Sequence, residues 1–267
     1  MELYNAPTGE GEDPQKGDNA HHQAGDANIV RLVKPIAIID DVARDIDPRV
    51  VSPKFFNSFN FSLLAKEKTG LGFTVGVTSA RPGEGKTLVA SNLAVSLATA
   101  NHRDTVLVDL NVAAPRLHTV FGTKLGPGLV EALDERIIHV WQTKVKNLFV
   151  LSAGNVTGNP MVANRYASAE KQHAAGPSVT SLGLEQMGAF RDIVYSLKQE
   201  FEFIIIDMAS VHEPSVPVLL SHQMDGLLVV IGLNSTKHED IEKLLRRVHK
   251  NHILGFVLNR AGEGSDE

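Results

Sequence analysis

Ser79-Ala80-Arg81-Pro82-Gly83-Glu84-Gly85-Lys86-Thr87 stands between two stretches of different character, and its reading decides the fold. Before it runs Phe73-Thr74-Val75-Gly76-Val77-Thr78, apolar and β-branched, which reads as a strand. After it, Leu88 to Ala100 reads as an amphipathic helix. A loop ending in Gly-Lys-Thr between a strand and a helix wraps its backbone N–H groups around phosphate oxygens. The helix dipole and the unpaired N–H groups of the first turn favour the anion there. In that arrangement Pro82, Gly83, Glu84, Gly85, Lys86, Thr87 and Leu88 form the cradle. Lys86 reaches the β- and γ-phosphates, and the Thr87 hydroxyl ligates magnesium. One position departs from the usual spacing: glycine is expected five residues before Gly85, and Ala80 stands there. The expectation is a protein that binds a nucleoside triphosphate, with ATP and Mg²⁺ as the cofactors.

The chain around this loop has 267 residues, enough for one large α/β domain with extensions. A hydrophobic share of 43% and a charged share of 21% place it among soluble globular proteins. No apolar run approaches the length of a membrane span and no signal-peptide pattern opens the chain, so a cytoplasmic protein is expected. A net charge of −5 provides no general attraction to nucleic acid or to anionic lipid. The absence of cysteine excludes disulfides, thiolate metal sites and cysteine nucleophiles together.

Residues 1–27 are rich in Gly, Asp, Asn, Gln and Pro, cannot bury enough surface to offset ordering, and are expected to form a disordered tail. His21-His22 within it reads as incidental. Residues 28–53 are read as a linker or docking segment, with Ile36-Ala37-Ile38-Ile39 a short strand. The main domain is expected over 54–262, followed by a short acidic tail, 263–267. Its start, from Phe55 to Leu64, reads as a helix packing an aromatic face on the core. Beyond the phosphate loop the pattern alternates. Strands are expected at Thr105–Leu110, Leu148–Leu151, Phe203–Ile206, Leu227–Ile231 and Ile253–Leu258. Helices are expected through Phe190, Ile193, Val194 and Leu197, and from a capping box at Thr236-x-x-Glu239 through Ile241, Leu244, Leu245 and Val248. Nearly continuous apolar strands alternating with helices mean an α/β fold, a mostly parallel sheet with helices on both faces. Residues 155–183 are polar and aperiodic and read as a mobile excursion.

Parallel α/β sheets place ligands at the carboxyl ends of their strands. Asp207 closes Phe203-Ile204-Ile205-Ile206, and a carboxylate there, beside a triphosphate, holds magnesium directly or through water. Asp109 closes Val106-Leu107-Val108 and either shares the metal or polarises an attacking hydroxyl or water. The plainer alternative for both is that each caps the turn that follows. Asn259 and Arg260 end the last strand, where the amide can bond the adenine edge and the guanidinium can stack on the base. Lys86, Asp109 and Asp207 are thus the candidate catalytic residues, and Thr87, Asp109 and Asp207 the candidate metal ligands.

The order of these motifs is specific: Pro-Gly-Glu-Gly-Lys-Thr, Ser91-Asn92-Leu93-Ala94, Val106-Leu107-Val108-Asp109 with Pro115 and His118. Gly128-Leu129, Ala153-Gly154, Asn159-Pro160, the strand ending at Asp207, and Gly255-Phe256-Val257-Leu258-Asn259 complete it. Over residues 54–261 the chain resembles the cytoplasmic ATPase domain of the bacterial tyrosine kinases, the BY-kinases. These lie within the deviant P-loop group that also holds partitioning and division-site-positioning ATPases. The resemblance implies a role in capsule and exopolysaccharide synthesis and export beside a membrane-embedded chain-length regulator, with recruitment to the inner face of the membrane and homo-oligomers among its implications.

Departures from the family pattern narrow the expectation. Its second motif, Asp-x-Asp-x-Arg, is here Asp109-Leu110-Asn111-Val112-Ala113. Its ring-assembly helix, Glu-x-x-Arg-x-x-Arg, is here Lys54-Phe55-Phe56-Asn57-Ser58-Phe59-Asn60. Met208-Ala209-Ser210 replaces Thr-Pro-Pro after Asp207. The tyrosine cluster that family members carry at the C-terminus is absent, the only tyrosines being Tyr4, Tyr166 and Tyr195. The expectation is therefore a regulatory ATPase or a weakened tyrosine kinase of this group. A partitioning or positioning ATPase and a non-catalytic nucleotide sensor stand as alternatives. Of the first, such proteins often carry an extra lysine early in the loop, a role left open for Arg81. The run Lys243, Arg246, Arg247, His249, Lys250 reads as a solvated helix face rather than a nucleic-acid surface. Iron–sulfur carrier ATPases need cysteines this chain lacks.

Overall fold

The computed structural model describes residues 31–33, 59, 70–100, 102–112, 114–155, 184–211, 218–233, 235–248 and 250–259. In chain order these form β1 (Arg31–Val33), β2 (Phe73–Ser79), α1 (Lys86–Ala100), β3 (Thr105–Asp109), α2 (Leu117–Val120), α3 (Leu129–Glu135), β4 (Ile137–His139) and β5 (Trp141–Gln142). They continue with β6 (Leu148–Leu151), α4 (Leu184–Glu200), β7 (Phe203–Asp207), α5 (Val218–Ser221), β8 (Gly226–Gly232), α6 (His238–Arg247) and β9 (Ile253–Asn259), a 3₁₀ turn at Lys250–His252 preceding the last strand. The seven-stranded sheet runs β5-β6-β3-β7-β2-β8-β9, all parallel except the two-residue edge strand β5. The six strands expected from Phe73 onward form. The fold is the mostly parallel α/β sheet that the sequence pattern implies.

Strand side chains alternate between faces, and each face carries its own core. On one face Val75, Val77, Leu107, Phe203, Ile205, Leu228 and Val230 pack against Ala90, Leu93, Ala94 and Leu97 of α1. On the other, Val106, Val108, Ile204, Ile206, Leu227 and Val229 pack against Phe190, Ile193, Val194 and Leu197 of α4 and Leu244 of α6. Burial on both faces removes the apolar–polar alternation and explains why β7 reads Phe-Ile-Ile-Ile.

Two local expectations need correction. Residues 89–98 of α1 are all buried, Ser91, Asn92 and Ser96 among them, so this helix is enclosed rather than amphipathic. Helical Phe59 packs against the same core. The capping box at Thr236 does not form: α6 has Lys237 at its N-cap with no side-chain cap, and the Thr236 hydroxyl is bonded elsewhere.

The short strands β1, β4 and β5 and the short helices α2, α3 and α5 lie outside the sequence reading. β1 pairs in parallel with β4 as a separate two-stranded sheet, and Leu32 packs on the α4-side core. Strands of two or three residues carry no readable period; long-range partners alone bring them into being. The readings placed on 1–27, Ile36–Ile39, most of Phe55–Leu64, 156–183 and 260–267 lie outside the described residues.

Candidate functional site

The chain leaves β2 toward β3 on one side, while β8 and β9 extend the sheet on the other, so the end of β2 lies at a switch point of the topology. The loop from Ser79 to Thr87 rises there. Gly83 and Gly85 take left-handed φ values of 79° and 94°, which turn successive N–H groups inward and which L side chains rarely adopt. Ala80, at the irregular position, has no such φ and is buried in the α4-side core. A methyl group is accommodated where the usual pattern has glycine.

Lys86 opens α1 and is buried. Thr87 Oγ1 donates to Asp207 Oδ2 at 2.6 Å, crossing 120 residues of sequence. Asp207 is opposite Asp109 in the β3–β7 register and opposite Val77 in the β2–β7 register, so both carboxylates and the loop share one edge. Burial raises the Asp207 carboxyl to about 7, with the Asp109 charge adding to the rise; the Thr87 hydrogen bond and Lys86 oppose it. Burial also raises Asp109 to about 6, against three backbone N–H groups that stabilise its charge.

Those three bonds define what Asp109 does. Oδ1 accepts from Asn111 N at 3.1 Å, and Oδ2 accepts from Arg116 N and Leu117 N, each at 3.0 Å. The carboxylate thus caps the turn leading into α2, the plainer of the readings offered for it, and little of its acceptor capacity faces the loop. Asp207 differs. Its Oδ1 is buried with no hydrogen-bond partner among the described residues, a costly state for a carboxylate oxygen unless a cation completes it. The hard oxygens of Thr87 and Asp207, one orphaned and one hydrogen-bonded, suit Mg²⁺, which takes few protein ligands and keeps its remaining positions for water and phosphate.

At the last strand, Asn259 Nδ2 donates to the Glu84 carbonyl at 2.9 Å. The amide nitrogen expected to read an adenine edge is therefore engaged by the phosphate loop, and a Cβ on Gly85 would stand 2.1 Å from it. Arg260 lies outside the described residues. Pro82 and Gly83 are exposed, and Leu88 is half-buried at the first turn of α1.

Glu84 and Thr236 carry contacts that the sequence reading did not assign. The Glu84 side chain is buried, with Oε2 accepting from Arg81 N at 2.8 Å and Oε1 accepting from the Thr236 hydroxyl. A signal was available: a carboxylate inside an anion-binding loop is electrostatically wrong unless something anchors it.

Gly128-Leu129 and Ala153-Gly154, adjacent in the motif order, are adjacent in space. Leu129 N and Val130 N donate to Ser152 O and Ala153 O, and Glu131 accepts from Gly128 N and Asn155 N. A Cβ on Gly128 would come within 2.3 Å of Ser152 O, which is why glycine stands at this approach.

No protein-family profile matches the chain. It is 28% identical over 192 residues to the tyrosine-protein kinase CpsD of Streptococcus pneumoniae serotype 4, a match spanning 70% of this chain and 75% of that protein. The kinase domain of the Escherichia coli tyrosine kinase ETK superposes with a TM-score of 0.66 at 15% identity, covering 85% of this chain and 84% of that one. The cell division ATPase MinD of Pyrococcus furiosus superposes with a TM-score of 0.53 at 23% identity, covering 73% and 74%. The two structural likenesses establish the P-loop fold. The resemblance to the BY-kinases, stated from the motifs, is borne out by the sequence relatives. Among the described residues no helix is long and apolar enough to cross a membrane.

Proposed function

We propose that this chain binds ATP with Mg²⁺ and acts as a BY-kinase-like regulatory ATPase or weakened tyrosine kinase. Its setting would be capsule or exopolysaccharide synthesis and export, at the cytoplasmic face of the membrane beside a membrane-embedded chain-length regulator. The observation that carries the nucleotide reading is the 2.6 Å Thr87–Asp207 hydrogen bond beneath a loop with two left-handed glycines and a buried lysine. The setting rests on the kinship with bacterial tyrosine kinases.

Magnesium, when bound, supplies neutralisation of phosphate charge and a fixed orientation of the phosphate oxygens. The chain's own residues supply the rest. Backbone N–H groups of the loop and the buried Lys86 stabilise negative charge at the site. Thr87 and Asp207 provide the metal's oxygen donors. Asp109 holds the Asn111–Leu117 turn, and Asn111, an amide, accepts no proton. That combination favours binding and slow turnover over rapid phosphoryl transfer.

The alternative of a DNA-bound partitioning ATPase has less support. On α6, Arg246 pairs with Glu242 at 2.9 Å and Arg247 donates to the Val211 carbonyl at 2.8 Å, so the basic run is partly engaged within the fold.

The test is incubation of the protein with γ-labelled ATP and Mg²⁺, alone and with the cytoplasmic segment of a candidate membrane regulator, following released phosphate and label on protein. Phosphate release stimulated by the segment is the expected result, and label on tyrosine would define a working kinase. Tight ATP binding with neither outcome would leave a nucleotide sensor, and absence of binding would overturn the reading.

One substitution addresses turnover directly. Asn111 Oδ1 is buried without a hydrogen-bond partner among the described residues. Asn111→Asp places a carboxylate beside Asp109 and is expected to raise phosphate release about tenfold, less than the full effect of an optimally placed general base. An unchanged rate would show that the missing carboxylate does not limit the chemistry.

A further inference from the structure

The phosphate loop is held from two sides, and only one of them is the metal side. Toward β7, Thr87 bonds Asp207. Toward β8 and β9, three contacts converge on residues 81–84. Asn259 Nδ2 donates to Glu84 O, Arg81 lies 3.6 Å from the Asp240 carboxylate in the first turn of α6, and the Thr236 hydroxyl donates to Glu84 Oε1. Thr236 Oγ1 itself accepts from Gly232 N at 3.0 Å, and its main chain is tied back by Thr236 N donating to Gly232 O at 3.0 Å. The Ser235 hydroxyl in the same turn donates back to Gly232 O at 3.0 Å, so of the two hydroxyl protons between β8 and α6 the one on Thr236 goes to Glu84.

Glu84 is where such a contact matters. It lies between the two left-handed glycines and is only 2% exposed, yet it carries a charge of the same sign as a polyphosphate. With Oε2 on Arg81 N and Oε1 on Thr236, the carboxylate ties the start of the loop to its middle and the loop to the β8–α6 turn. Without the hydroxyl, one buried oxygen loses its partner. The loop must then rotate to hydrate it, which disturbs the N–H groups of 83–86. Hydrogen bonds to charged groups are among the stronger ones, and an unmet buried acceptor has a large cost.

We infer that Thr236 is a positioning residue for the phosphate loop, acting through the Glu84 carboxylate to preset the loop for the triphosphate and tying that loop to the β8–α6 turn. The inference rests on the nucleotide-binding reading above. Its mechanism is preorganisation: a loop ordered before binding loses less entropy when the ligand arrives.

Calorimetric titration with ATP and Mg²⁺, alongside melting curves without nucleotide, tests it on the full chain. Thr236→Val, nearly isosteric but lacking the hydroxyl, is expected to weaken ATP binding about tenfold, while Thr236→Ser restores affinity to within about twofold of the parent. The double variant Glu84→Ala with Thr236→Val should bind no more weakly than Glu84→Ala alone, since the hydroxyl would have no carboxylate through which to act. Parent-like affinity in Thr236→Val overturns the inference, as do additive losses in the double variant. So does an equal loss in the Val and Ser variants that tracks a fall in melting temperature. A parent protein that binds no ATP would instead strike the nucleotide reading itself and the inference with it.

Discussion

Lys86→Ala should reduce ATP binding by about a hundredfold or more and bring phosphate release to background. The site is built for anions by backbone N–H groups, which carry partial charges; Lys86 is its buried full positive charge. In a poorly hydrated site a full charge against a triphosphate contributes several times what it would in water. The same cation opposes the rise of the Asp207 carboxyl, so its loss leaves a buried acid less compensated. A modest fall in apo stability at neutral pH should therefore accompany the loss of binding. Lys86→Met, which keeps the apolar stem, separates charge from packing. Both variants should give parent-like far-ultraviolet circular dichroism, and both should fail in a fluorescent-nucleotide titration. Unchanged affinity in both would remove the phosphate-loop assignment.

Asp207→Asn is expected to move function and stability in opposite directions. With the carboxylate gone, the magnesium donor set loses its charged member, and Mg²⁺-dependent enhancement of ATP binding should fall by about a hundredfold, with turnover lost. The apo protein, in chelator, should become more stable at pH 8. The folded-state carboxyl sits near 7, above its ordinary 3.8. Between these values the native state binds more protons than the unfolded chain, so stability is highest in acid and declines as pH rises through 7. A shift of that size corresponds to an effect on the order of 4 kcal/mol at alkaline pH. The amide removes this charge but brings an N–H₂ group into a buried place, which offsets about 1–3 kcal/mol of the gain. The net expectation is a rise in melting temperature of roughly 3–6 °C at pH 8, shrinking or reversing at pH 5. Asp109, raised to about 6, adds a parallel slope between about pH 4 and 6 that this substitution leaves in place. A parent protein whose apo stability is flat from pH 5 to pH 8 would contradict the buried carboxyl assignment.

This opposition has a structural cause. Asp207 Oδ1 is buried and without a hydrogen-bond partner among the described residues, and Asp109 stands beside it in the strand register. A fold selected for stability alone would not place two acids at the ends of adjacent buried strands. On the proposed reading a bound cation would offset that cost, and the protein without it carries the cost in full.

The amino-acid sequence by itself determined the class of fold and the place of the glycine-rich loop within it. Six parallel strands are legible because burial on both faces makes each an unbroken apolar run, as in Phe203-Ile204-Ile205-Ile206. The phosphate loop is legible because its chemistry is local: glycines for the left-handed turns, lysine for charge and threonine for metal, all within nine residues. Asp109 and Asp207 are legible as acids at strand ends for the same reason.

What each acid does was decided only by the tertiary structure. Asp109 and Asp207 look alike in sequence, yet one has three backbone N–H groups from its own following turn and the other has an empty oxygen beneath the loop. Thr236 carries a helix-capping signature, but Glu84, 152 residues away, is the partner it takes. Capping would use the hydroxyl oxygen as acceptor for a helix N–H; that oxygen instead accepts from Gly232 N, and its proton goes to the buried carboxylate. α1 reads as a surface helix and is enclosed on all sides through residues 89–98. The order β5-β6-β3-β7-β2-β8-β9 follows no local rule, since it depends on which buried edges meet. Local chemistry is written in neighbouring residues; the competition among distant donors, acceptors and strand edges is settled only when the chain has folded.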